Sequence, residues 1–135
     1  MNKKTIIFLF CLVLGACLPW SEGELGKGYY YLPNYEAKDV GYDGGSTVYK
    51  STQKNYFQIV LIQGGILEVN KNMDFILIGQ NKQQLDLKQK TKVYYYWIID
   101  KNNSKVYGPY ILNEYLEKKN ELGVPEKLKL KCERE

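Results

Sequence analysis

The apolar residues of this chain fall in short blocks set apart by glycine, asparagine and lysine. Alternation with period two marks a strand with one covered face. An unbroken apolar run of about four to eight residues marks a strand covered on both faces, and spacings of three and four mark a helix. On that basis "YYYLPNY" from Tyr29 holds a first strand, ended by Pro33. "EAKDVGYDGGS" is a loop in which Gly44-Gly45 turns the chain. "TVYK" from Thr47 is a short strand. "YFQIVLIQ", residues 56–63, carries Ile59, Val60, Leu61 and Ile62 in succession, which predicts a central strand covered on both faces. Gly64-Gly65 predicts a tight hairpin turn into "ILEV". After "NKNM", "DFILIG" runs from Asp74 to Gly79 and extends an antiparallel meander.

"QNKQQLDLKQKTK", residues 80–92, reads as polar connection. The strongest strand follows, Val93 to Asp100. Val93, Tyr95, Trp97 and Ile99 share one of its faces, and Tyr94, Tyr96 and Ile98 share the other. "KNNS" is a hairpin loop, because asparagine tolerates the left-handed conformation. "KVYGPY" returns and is interrupted at Gly108-Pro109. From Leu112 to Leu122 the period changes to that of a helix, with Leu112, Tyr115, Leu116 and Leu122 on one face. Glu114 and Lys118 form an i,i+4 pair on it. Gly123 stops the helix and Pro125 prevents its continuation. "EKLKLKCE" alternates Leu128, Leu130 and Cys132 with Lys127, Lys129 and Lys131, which predicts a lysine-lined edge strand. The fold expected is α+β: a mainly antiparallel β-sheet of meander and hairpins with one α-helix from the C-terminal region packed on it.

A length of 135 residues is one domain's worth, and the 13 tyrosines favour sheet over helix. The N-terminus stands apart. Lys3 and Lys4 precede the apolar run Ile6–Leu14, and the small residues Gly15 and Ala16 lead to Cys17. This is the layout of a secretory signal, and the run is about half the length a membrane-spanning helix needs. "LGAC" resembles the lipobox of bacterial lipoproteins. The resemblance implies a diacylglyceryl group on the Cys17 thiol, cleavage between Ala16 and Cys17, and further acylation such as palmitate. The domain boundaries are then a signal peptide over 1–16, a lipidated cysteine and flexible tether over 17–28, and a β-rich domain over 29–135. Loss of Lys3 and Lys4 leaves 17 basic and 15 acidic residues, a net charge of +2. That is too small to suggest nucleic acid as a partner. Cys11 departs with the signal, so Cys132 is left as the one free thiol. It reads as a small, partly buried hydrophobe, with an intermolecular disulfide as the second possibility.

Candidate chemistry is sparse. The chain has no histidine, which removes Ser-His-Asp and Cys-His catalysis and most zinc sites. No phosphate-binding glycine loop and no GxSxG elbow is present, so no catalytic residue, metal or cofactor is expected. Two carboxylate pairs are available for acid–base work, Asp39 with Asp43 and Asp74 with Asp100, each also explained as a turn or strand-end residue. The positive hint is aromatic. Tyr94, Tyr96, Trp97 and Tyr110 are a candidate binding surface for a peptide, glycan or envelope protein.

Two further resemblances bear on function. "LGKGYYYLP", "ILEVNKNMDFILIGQ", "YYYWIIDKNNSKVYGPY" and "YLEKKNELGVPEKLKLK" together resemble a family of small, uncharacterised bacterial lipoproteins, which implies export and brings no catalytic residue. "YWIIDKNNSKVYGPYILNEYL" is similar to the hairpin, Gly-Pro-aromatic and helix of GYF-type domains, which bind proline-rich peptides. Tyr96, Trp97, Gly108, Pro109 and Tyr110 carry that likeness, while "LGVPEKL" stands where the G-Y-F triplet would be. The function expected is a non-catalytic, lipid-anchored binding module in the bacterial envelope. It would sit on the outer membrane of a two-membrane cell and otherwise on the outer face of the plasma membrane. The alternative is an immunity or inhibitor lipoprotein directed at an exported toxin.

Overall fold

The computed structural model describes residues 23–83 and 92–134. Their order is β1 (Glu24–Gly26), β2 (Tyr29–Leu32), α1 (Asn34–Asp39), β3 (Thr47–Lys50), β4 (Ile59–Gln63), β5 (Ile66–Lys71), β6 (Phe75–Gln83), β7 (Lys92–Asp100), β8 (Lys105–Tyr110) and α2 (Leu112–Glu121), closed by a 3-10 turn at Lys131–Arg134. The strands form two antiparallel four-stranded sheets, β1-β2-β3-β4 and β5-β6-β7-β8. The fold is α+β and mainly β.

The sheets pack face to face through Leu25, Tyr29, Val48 and Ile62 from the first and Ile66, Ile76, Ile78 and Ile99 from the second. Period-two alternation then dictates two outer layers. Leu77, Tyr96 and Ile98 point away from that interface and are covered by Tyr115 of α2 and by Val124, Leu128 and Leu130. On the far side of the first sheet, Leu32 and Tyr49 are covered by Ala37 of α1, with Tyr30, Tyr42 and Phe57 against them.

The helix expected near Leu112–Leu122 is α2, and its end is a Schellman motif. Gly123 N–H donates to Asn120 O and Val124 N–H to Lys119 O, at 3.1 and 3.0 Å, with Gly123 at φ 70°. Leu116 is largely exposed, and Lys119 takes the buried place beside Tyr115. The ion pair on its surface is Lys118–Glu121 at 2.9 Å, in place of Glu114–Lys118. Glu114 instead reaches back to the Ile111 N–H at the helix start.

Five expectations are corrected. The segment after Pro33 is helical, because proline, which lacks an N–H, suits the start of a helix, and Ala37 finds a buried site. β4 is the edge of its sheet: a bulge opposite Val48/Tyr49 interrupts its register, and Ile59 and Val60 are 54% and 39% exposed. An apolar run reports what a strand can bury, and among the described residues nothing covers this half of it. Gly64-Gly65 is a crossover between the two sheets, because β5 pairs with β6 and not with β4. It is strapped by Gly64 N–H to Ser46 O and by Asn81 N–H to Gly65 O, at 2.6 and 2.7 Å. Gly65 sits at φ 62°, and a Cβ there would lie 2.0 Å from Asn81 O, so only glycine fits. β8 runs through Gly108-Pro109, a cis peptide bond, beside a bulge between Tyr96 and Ile98. The C-terminal alternation buries Leu128 and Leu130 and exposes Lys127, Lys129 and Lys131, but the backbone pairs with no strand and ends in the 3-10 turn. The expected tether also contributes structure, since β1 lies within it.

The double cover of β7 against the open edge of β4 makes a direct test. Ile98→Ala removes a fully buried side chain and is expected to cost about 2–5 kcal/mol in urea unfolding. Ile59→Ala, at the exposed end of β4, is expected to stay within about 0.5 kcal/mol of the parent.

Candidate functional site

Three turns meet at one end of the sandwich: Lys27-Gly28 between β1 and β2, Asn72–Asp74 between β5 and β6, and Lys101–Ser104 between β7 and β8. Between them lies a cleft of about 400 Å³ lined by Leu25, Lys27, Lys71, Asn72, Met73 and Lys101. Its anchor is Lys101, the residue directly after β7, which is only 5% exposed. The Lys101 ammonium donates to Leu25 O at 2.6 Å and to Asn72 O at 2.5 Å, so it ties β1 of one sheet to the β5–β6 turn of the other. Lys71 donates from its side chain to Glu24 O, and Lys27 to Asn102 Oδ1. Burial, and then the charges of Lys71 and Lys27, hold the Lys101 ammonium below the ordinary lysine pKa, while Asp74 opposes them. Lys50 joins the same end, donating to Ser104 Oγ at 2.8 Å.

The aromatic candidates are divided between the two faces of β7. Tyr96 is 4% exposed, so its proposed place on a binding surface is corrected: its ring stacks on Tyr115 at 4.8 Å and its hydroxyl donates to Cys132 O at 3.3 Å. Tyr94 and Tyr110 are half-buried against the same layer. Trp97 lies on the opposite face, packed against the inter-sheet core, with its indole N–H donated to Gln80 Oε1 at 2.9 Å. Gln80 in turn donates to Gly64 O at 2.7 Å, so Trp97 and the crossover share one buried amide. The four rings therefore do not form one platform. Ala16 and Cys17 lie outside the described residues.

The carboxylates separate in the same way. Asp39 and Asp43 are exposed, at the end of α1 and in the loop after it. Asp74 and Asp100 are brought together across one residue: Asn102 Nδ2 donates to Asp74 Oδ1 at 2.9 Å, and Asn102 N–H to Asp100 Oδ1 at 3.0 Å. Asp100 also accepts from the Asn103 N–H and Nδ2, at 3.2 and 2.7 Å. Burial pushes the Asp100 carboxyl up, but these hydrogen bonds, first those from Asn103, outweigh it and leave its pKa below the ordinary value. That is a turn-capping carboxylate held ionised, the opposite of what a general acid requires. Among the described residues no group of three His, Cys, Asp or Glu is placed to hold a metal ion.

A second polar cluster closes the other side of the fold. Glu133 accepts from Tyr115 OH at 2.6 Å, from Leu130 N–H at 2.9 Å and from Lys119 Nζ at 3.0 Å, with Lys119 and Glu133 both nearly buried. Lys119 donates also to Leu128 O at 3.0 Å. Burial and then Glu133 raise the Tyr115 pKa far above that of a free phenol. Cys132 is half-buried beside it, and burial followed by the Glu68 charge pushes its thiol up to about 11. A thiol of that kind is a poor nucleophile near neutral pH, in keeping with a packing role.

The lysine cleft was missed in the sequence because its members stand at positions 27, 71 and 101, with no local run to mark them. The fold and the site together define a small two-sheet β-protein with a cleft between three lysine-bearing turns at one end and helical covers on its outer faces. The chain belongs to the family described as protein of unknown function (DUF3997), whose model matches residues 27–134. Comparison with curated proteins and with solved structures gave no match.

The Asp100 turn gives a prediction whose sign is fixed. A carboxylate whose folded pKa lies below its unfolded value stabilises fully above the unfolded pKa and ceases to do so as pH falls through the folded one. Asp100→Asn is therefore expected to cost about 1–2 kcal/mol near about pH 6, with the gap to the parent narrowing as the pH falls below the ordinary carboxylate range. Urea unfolding of both proteins across that range measures it.

Proposed function

We propose that this chain is a membrane-anchored bacterial lipoprotein, held in the cell envelope through a lipidated Cys17, whose β-rich domain serves there as a non-catalytic binding module. The observation that carries the reading is "LGAC" at the end of a Lys-flanked apolar run. Two acyl chains on one cysteine hold a protein stably at a bilayer where a single chain binds only marginally. Among the described residues no helix is long and apolar enough to cross a membrane, so in this reading the lipid alone is the anchor.

The fold supports a role close to the membrane. β1 begins at Glu24, seven residues after Cys17. At ~3.3 Å per residue the intervening chain spans at most about 23 Å. The domain would therefore work within a short distance of the bilayer. The non-catalytic reading draws on the carboxylate geometry, in which Asp100 serves the β7–β8 turn.

Cys17→Ala in a bacterial host tests the anchor. The expected result is an uncleaved precursor with no incorporation of labelled fatty acid. Continued labelling of the variant would overturn the reading.

A further inference from the structure

The cleft at the three-turn end is built with lysines, and yet its walls are almost wholly carbon. The reason lies in where the ammonium groups go. Lys101 carries its own to the Leu25 and Asn72 carbonyls, Lys27 to Asn102 Oδ1 and Lys71 to the Glu24 carbonyl. Their methylene stems, with Leu25 and Met73, supply the apolar wall. Water is poorly held in such a space, because an ordered water needs about two to four polar partners. An apolar guest loses nothing by the lack of them.

We propose that the cleft is the seat of one acyl chain of the lipid on Cys17, filled when no bilayer is at hand. This rests on the anchored reading of Cys17 and gives its lipid a second place to lie. The size fits: about 400 Å³ lies at the small end of ligand pockets, room for an acyl chain and too little for a folded partner. The mouth suits a flexible apolar guest. Met73 stands there at the tip of the β5–β6 turn, 80% exposed, and the unbranched thioether of methionine adapts to irregular apolar shapes.

Reach selects the occupant. One wall of the cleft belongs to β1, and its Leu25 is eight residues from Cys17. At ~3.3 Å per residue the Cys17 sulfur lies within about 26 Å of it along the chain. Gly23, two residues before Leu25, is held at its carbonyl by the Tyr31 N–H at 2.7 Å, so the chain toward Cys17 leaves from a fixed point. A group on so short a linker is present at a local concentration in roughly the millimolar range, far above that of a lipid free in water. A bilayer buries every methylene of the chain, whereas the cleft opens at Met73 and leaves part of it in water. Insertion into a bilayer therefore empties the cleft, and withdrawal fills it.

The test uses the full chain made in a bacterial host that is fed a fatty acid bearing a diazirine. Mass spectrometry first shows whether Cys17 carries the label. The protein is then irradiated in two states, diluted out of detergent and inserted in phosphatidylcholine vesicles, and the crosslinked residues are mapped. Out of detergent, adducts are expected at Leu25, Met73 and Lys101. In vesicles they are expected to fall about ten-fold, the equivalent of about two methylene groups that the cleft leaves in water. Met73→Asn, at an exposed position, is expected to keep the parent's urea unfolding and to lower the adducts at Leu25 about four-fold, the equivalent of about one methylene. Adducts spread over exposed apolar residues such as Leu67 and Ile111 would overturn the proposal and leave the anchored reading standing, as would an unchanged yield in Met73→Asn. Cleft adducts formed by the free diazirine fatty acid, added to acylated protein that carries no label, would overturn the occupant in favour of an acyl chain from outside. Absence of label from Cys17 would overturn the anchored reading and this occupant with it.

Discussion

The structure depends on a strand that must be covered twice. Ile98 and Ile99 of β7 are both fully buried, and they face opposite ways. Beside them on β6, Ile76, Leu77 and Ile78 repeat the demand. A buried aliphatic side chain contributes about 1.5–3 kcal/mol over an exposed one, so a strand pair of this composition cannot leave either face to water. One cover is the first sheet, β1 to β4, and the other is α2 with the chain that follows it. The Gly64-Gly65 crossover makes the first possible, because it carries the chain from one sheet to the next where a hairpin would have kept a single layer. Glu133 secures the second by gathering Tyr115, Lys119 and the Leu130 N–H at one carboxylate.

Among the described residues the fold buries two lysines and treats them differently. Lys119 faces a carboxylate, and its remaining acceptor is the Leu128 carbonyl, so charge and hydrogen bonds are answered within the protein. Lys101 is held by carbonyls, which satisfy donors without cancelling charge. Both residues join elements distant in sequence, and both are structural in that sense. Lys101 also lines the cleft between the three turns, beside Lys27 and Lys71. The contrast separates a closed structural ion pair from a buried cation held by backbone carbonyls.

How much of this was legible in the sequence follows from the range over which each feature is encoded. The two faces of β7 and the end of α2 at Gly123 are local patterns, and both are found as read. The edge position of β4 is not local. Its apolar run is the same whether or not a neighbour covers it, and the bulge opposite Val48/Tyr49 that turns it outward depends on pairing. The alternation of Leu128 and Leu130 correctly gave a buried face, but burial against α2 and Leu77 satisfies that pattern as well as a ladder does. Tyr96 and Trp97 read alike in the sequence, and their different partners, Tyr115 and Gln80, appear only once both covers are in place. The lysine cleft is the least legible feature, since three separate hairpin turns must meet before it exists.

The same geometry ties the site to the chain's start. β1 is a three-residue strand, and by itself it would be a weak edge. Lys71 and Lys101 donate to its carbonyls at Glu24 and Leu25, and Tyr31 N–H donates to Gly23 O at 2.7 Å. The first described residues are thus fixed by the cations that line the cleft.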